Sequence, residues 1–115
     1  MTIKIIHNRI SREEVLGFLG KPFDERIKFV VDIKKEIIAL GGELHAHAKA
    51  LLVEEGSSPK DLWGGNLYPG LLKESQIEYS SKINDRPAEG NFDLEVTNEK
   101  LRARMKAVVE KRVEL

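Results

Sequence analysis

Two short apolar runs, Phe29-Val30-Val31 and Ile37-Ile38-Ala39-Leu40, flank the charged stretch Asp32-Ile33-Lys34-Lys35-Glu36. Apolar runs this short, separated by turn-forming residues, mark strands rather than helices. Residues 28–40 therefore predict a β-hairpin, and Gly41-Gly42 stops its second strand. A hairpin pairs its strands antiparallel. An isolated hairpin is barely stable in water, so the rest of the chain must extend the sheet and cover it.

The other segments can be read on that basis. Ile3-Lys4-Ile5-Ile6 is β-prone. Ser11-Arg12-Glu13-Glu14 fits a capping box, with Ile10 and Val15 placed as a hydrophobic staple, and Gly20 and Pro22 end that helix. A second helix is predicted over residues 43–55, with Gly56 as its terminator. Leu44, Ala48, Leu51 and Leu52 form one stripe, and Ala46, Ala50 and Val53 form another. That wheel is apolar almost all round, which predicts the most buried helix of the fold. Ser58-Pro59 opens a helical turn. Residues 63–68 and 77–83 read as two more strands, the second through the alternation Ile77, Tyr79, Ser81, Ile83. A last helix starts near Thr97 or Asn98, with Leu101, Met105, Val108 and Val109 on its apolar face. The expected class is α+β: a small, mostly antiparallel sheet of four to five strands, with about three helices packed on one face of it.

The chain has 115 residues, of which 41% are hydrophobic, enough for one core and one domain over residues 1–115. Charged residues reach 33%, yet 19 basic and 19 acidic side chains cancel. Nucleic-acid binding draws on a basic excess that this chain lacks, and Lys100, Arg102, Arg104, Lys106, Lys111 and Arg112 alternate with Glu99 and Glu110 as on a solvated helix face. With no cysteine, thiolate chemistry and cysteine-type zinc sites are excluded. No apolar run approaches the ~18 residues of a membrane span. The N-terminal residues carry no secretory pattern, so a cytoplasmic location is expected. Neither a cofactor nor a metal is expected.

Three segments carry polar residues without an evident structural task. The first is Gly41-Gly42-Glu43-Leu44-His45-Ala46-His47. On a strand His45 and His47 would share a side; on the predicted helix they point about 200° apart. Glu43, His47 and Glu54 fall within about 40° on the helical wheel, a set that would suit a divalent ion or simply form a solvated stripe. The second is Asp61-Leu62-Trp63-Gly64-Gly65-Asn66-Leu67-Tyr68-Pro69. Its tryptophan beside two glycines fits the wall of a ligand site, and equally a core residue next to a bulge. The third is Asn84-Asp85-Arg86-Pro87-Ala88-Glu89-Gly90-Asn91, where Arg86 can hold a carboxylate or phosphate, or pin the loop by pairing with Asp85, Glu89 or Glu43. No Ser-His-Asp order, phosphate loop or dinucleotide fingerprint is present.

These same segments, Phe29-Val30-Val31-Asp32, Gly41-Gly42-Glu43-Leu44-His45-Ala46, Asp61 to Pro69, and Ile83-Asn84-Asp85-Arg86-Pro87 with Gly90-Asn91, resemble a family of short bacterial and archaeal proteins catalogued as a domain of unknown function. The resemblance runs over roughly residues 28–92. It implies no activity, substrate or cofactor. Acidic residues are usual in that family where this chain has His47 and Lys49, which weakens a metal site built on His47 and leaves Glu43 and His45 as the firmer pair.

The leading expectation is a pocket that binds, and leaves open whether it acts on, a small polar or anionic ligand at the N-terminus of the second helix. Glu43, His45, Trp63, Asn66, Asn84, Arg86 and Asn91 would line it, with Arg86 near that helix end. The alternative is a non-enzymatic interaction or regulatory module, a homodimer, whose polar motifs brace loops. Convergence of these side chains on one cleft separates the two.

Overall fold

The computed structural model describes residues 2–115. The predicted hairpin forms between β2 (Ile27–Asp32) and β3 (Ile37–Gly41). It is the centre of a five-stranded sheet with β1 (Ile3–Ile6), β4 (Leu62–Leu67) and β5 (Ile77–Glu78), in the order β1-β3-β2-β4-β5. Every neighbouring pair is antiparallel. Three helices accompany it: α1 (Arg12–Leu16), α2 (His45–Glu54) and α3 (Glu99–Arg112). The fold is α+β, as the hairpin and capping signals predict.

Strand periodicity sorts the core into two layers. Phe29, Val31, Ile38, Leu40, Trp63 and Leu67 pack with Met105, Val108 and Val109 of α3 and with Val15 of α1. The alternate residues Val30, Ile37, Ala39 and Leu62 pack with Ala48 and Leu52 of α2. The helices thus cover both faces, not one. Both faces of the central hairpin are apolar, and each must be shielded from water.

Local chemistry sets most boundaries. Ser11 caps α1 by accepting the Glu14 N–H, while Ile10 and Val15 are both buried. Asn98 caps α3 by accepting the Leu101 N–H at 2.9 Å. The hairpin tip is held by Asp32, which is fully buried. Its Oδ1 accepts the N–H groups of Lys34 and Lys35, each at 2.9 Å, and its Oδ2 accepts the Ser57 hydroxyl at 2.6 Å. The tip is thereby tied to the loop after α2.

Expectations for α2 and for the last strand need correction. α2 begins at His45 with Leu44 as its N-cap, so Glu43 lies outside the helix. α2 buries three of its 10 residues, His45, Ala48 and Leu52, against three of 14 in α3 and one of 5 in α1, but it is not shielded all round: Leu51 and Val53 are 38% and 40% exposed. It lies on the outside of the sheet, where a single stripe suffices, and its other alanines are merely good helix formers. The strand expected over residues 77–83 is only Ile77–Glu78. The chain then turns at Lys82–Asn84, where the Ser81 hydroxyl accepts the Ile83 N–H. A serine that bonds to nearby backbone competes with the ladder.

Candidate functional site

Residues Lys28, Asn66 and Glu78 form a row across β2, β4 and β5, since Lys28 is registered with Asn66 and Asn66 with Glu78. Asn66 is one position of the alternation that faces α2. Directly along β4 on the same face is Gly64. A Cβ there would lie 2.8 Å from the Ser81 Cβ and 3.1 Å from the His45 ring. The missing side chain at residue 64 is what lets His45, the first residue of α2, sit down on the sheet. His45 is 8% exposed, and its Nε2–H donates to the Gly65 carbonyl at 2.6 Å.

That bond fixes the tautomer, with the lone pair on Nδ1. Burial pushes the His45 pKa down to about 4, assisted by the charges of Lys28 and Arg26 and opposed by the Gly65 bond and Glu78. The ring is therefore neutral near pH 7. Burial also holds the Lys28 ammonium below the ordinary lysine range, with Arg26 adding to the effect and Glu78 opposing it.

Between the start of α2 and the β4–β5 edge lies a cleft of about 510 Å³. Arg26, Lys28, His45, Asn66, Glu78 and Ser80 give it polar walls, and Leu44, Ile83 and Leu94 an apolar side. Asn66 is 5% exposed. Its Nδ2 donates to Glu78 Oε1 at 2.7 Å and, more weakly, to the Ser80 carbonyl at 3.5 Å. Those two acceptors orient the amide and leave Oδ1 buried without a donor. An unsatisfied buried acceptor costs about 1–3 kcal/mol. Arg26 and Lys28 lie over the Phe23 ring, 4.5 and 5.4 Å from its centroid. Among the described residues neither is within ion-pair distance of a carboxylate. α2 has no side-chain N-cap bond and no acidic residue in its first turn.

The remaining expected site residues do not join them. Glu43 lines a separate hollow with Thr2, Gly20, Lys21 and Pro22. Trp63 is 3% exposed and packs in the core on the α3 side, with the Arg86 guanidinium 3.8 Å from its ring centroid. Arg86 donates to the carbonyls of Pro59 at 2.7 Å and Leu62 at 2.6 Å. It is thus bound to the loop that follows the C-terminus of α2, not to the helix start as expected. Asn84 bonds both backbone groups of Gly64, and Asn91 donates to the carbonyls of Asn84, Asp93 and Glu95. Where β5 ends, the Asn84 amide and the Arg86 guanidinium take the place of a strand along the open edge of β4. Loop bracing accounts for Asn84, Arg86 and Asn91, whereas His45 and Asn66 share the cleft.

Residues 4–112 match a family described as a protein of unknown function, DUF5674. The chain belongs to that family. No curated protein and no solved structure matches it. The DUF5674 match takes in nearly all of both core layers and every wall of the cleft. Among the described residues no helix is long and apolar enough to cross a membrane, and no group of three or more His, Asp or Glu side chains is placed to hold a metal ion.

Sequence reasoning missed Arg26, Lys28 and Glu78. Lys28 and Glu78 alternate with buried strand neighbours and look like solvent-facing positions. Only the register of three strands places them beside Asn66. A second hollow of comparable size, about 460 Å³ near Arg9, Lys106 and Glu110, contains neither Asn66 Oδ1 nor Arg86 Nε, the two buried side-chain atoms without a partner among the described residues.

Proposed function

We propose that this protein binds a small anionic ligand in the cleft between the first turn of α2 and the β4–β5 edge. The observation that supports the reading is the basic side of the cleft, where Arg26 and Lys28 have no carboxylate within ion-pair distance among the described residues. The sign of the ligand follows from its surroundings. Arg26, Lys28 and Lys82 outnumber Glu78 on the cleft lining. The uncapped start of α2 adds N–H groups and the positive end of a helix dipole. Glu43 does not compete for those groups, because it lies outside the helix and lines a different hollow.

Titration of ¹⁵N-labelled protein with a panel of small carboxylates and phosphate tests this. The amide resonances of His45, Ala46 and Asn66 are expected to move together and to saturate. Lys28→Ala is expected to weaken that binding by roughly tenfold or more. Resonances that stay still at saturating concentrations of every anion would refute the reading.

The alternative of an interaction module draws on a different observation. Leu72 and Phe92 are 74% and 76% exposed, unusual for side chains of that size. Sedimentation of the wild type against a Phe92→Ser, Leu72→Ser variant tests it: a self-associating module would lose a dimer that the wild type forms.

A further inference from the structure

The cleft has an apolar side that a bare anion leaves unused. Leu44, Ile83 and Leu94 line it, with Leu44 54% and Leu94 43% exposed. Single exposed leucines are ordinary on a surface, but branched aliphatic side chains gathered along one concave space are a feature of ligand sites. Ile83 and Leu94 are also held in place by the fold. Ile83 packs against the core layer under α2. The Leu94 carbonyl accepts the Ser81 N–H at 3.0 Å and Asn84 Nδ2 at 3.1 Å, which fixes its backbone.

The strand register separates this side from the basic one. Lys28 is registered with Asn66, and Arg26 precedes it by two residues. Leu94 is tied to Asn84, which bonds Gly64, two residues along β4 from Asn66. Two strand residues span about 7 Å, so one short hydrocarbon chain connects the two sides. The whole cleft holds about 510 Å³, inside the roughly 300–1,000 Å³ of pockets for organic ligands, and an inorganic anion would fill a small part of it. Glu78, also on the lining, repels a dianion more strongly than a monoanion.

We infer that the cleft takes an aliphatic monocarboxylate, a short fatty acid, whose carboxylate meets Arg26 and Lys28 and whose hydrocarbon tail lies on Leu44, Ile83 and Leu94. This rests on the anion-cleft reading above and goes further by requiring the tail.

The probes are acetate, butanoate and hexanoate, with hexan-1-ol, which lacks the charge, and inorganic phosphate, which lacks the tail. Each is titrated into ¹⁵N-labelled protein and followed through the amide resonances of Ala46, Ile83 and Leu94. A buried methylene is worth about threefold to fourfold in affinity, so hexanoate is expected to bind roughly a hundredfold more tightly than acetate. Leu94→Ala, at an exposed position, is expected to weaken hexanoate by about fivefold or more and to leave acetate unchanged. Leu44→Ala is expected to do the same and keeps the test valid if the first variant does not fold. Lys28→Ala is expected to weaken acetate and hexanoate alike, by about tenfold. Equal binding of acetate and hexanoate, or movement with phosphate alone, overturns the fatty-acid inference and leaves the anion site standing. Hexan-1-ol binding as tightly as hexanoate, or no movement with any anion, overturns both.

Discussion

Asn84 holds Gly64 by both of its backbone groups: the Gly64 N–H donates to Asn84 Oδ1 at 2.9 Å, and Asn84 Nδ2 donates to the Gly64 carbonyl at 2.8 Å. The same Nδ2 reaches the Leu94 carbonyl at 3.1 Å. A fully buried side chain thus acts as a one-residue strand on the β4 edge. Asn84→Ala strands a buried N–H and a buried carbonyl. It is expected to lower unfolding stability by about 2–4 kcal/mol, read from the urea midpoint.

The glycines of β4 make a second prediction. At Gly65 a Cβ would meet the Phe29 ring at 2.5 Å and press on the Glu78 carbonyl. At Gly70 it would meet nothing within 4 Å. Gly65→Ala is expected to cost more than about 2 kcal/mol through overpacking against rigid backbone, and Gly70→Ala less than about 0.5 kcal/mol. Gly64→Ala is expected to fall between them, with His45 displaced from the sheet.

The buried imidazole gives the fold a pH dependence. The folded His45 pKa of about 4 lies below the ordinary 6.5, so on acidification the unfolded chain takes up this proton first. The penalty is absent above pH 6.5, grows as pH falls from 6.5 toward 4, and is complete below 4. It amounts to about 2 kcal/mol between roughly pH 7 and 5. Urea unfolding of the wild type and of His45→Gln at the two pH values checks this: the variant is expected to lose that part of the slope.

Arg86→Ala separates bracing from binding. Removing the guanidinium frees the carbonyls of Pro59 and Leu62 and uncovers one face of Trp63. A loss of about 1.5–3 kcal/mol in stability is expected, with ligand affinity unchanged under native conditions.

The antiparallel sheet was legible because its signals are local. The hairpin runs, the Ser11 and Asn98 caps and the Gly41-Gly42 stop each act within a few residues. His45 and Asn66 were legible as polar residues in otherwise apolar or glycine-rich segments. Arg86, Asn84 and Asn91 look the same in sequence, yet they are consumed by backbone groups up to 27 residues away. Nothing local tells a brace from a ligand contact. Lys28 and Glu78 were hidden for the opposite reason: a charged residue on a strand reads as solvent-facing until the register of its neighbours is known. The length of β5 and the exposure of α2 depended on what else packs there, which no periodicity within the element records.

The central claim is that the space between α2 and the Lys28–Asn66–Glu78 row is a binding site, and one measurement addresses it directly. In a ¹⁵N–¹H titration with small carboxylates and phosphate, the amides of His45, Ala46 and Asn66 are expected to shift along one saturable curve. Lys28→Ala should move that curve to roughly tenfold or more higher concentration, and Arg86→Ala should leave it in place. Shifts confined to the Arg86–Asn91 loop, or the same curve in the Lys28→Ala protein, would contradict the account.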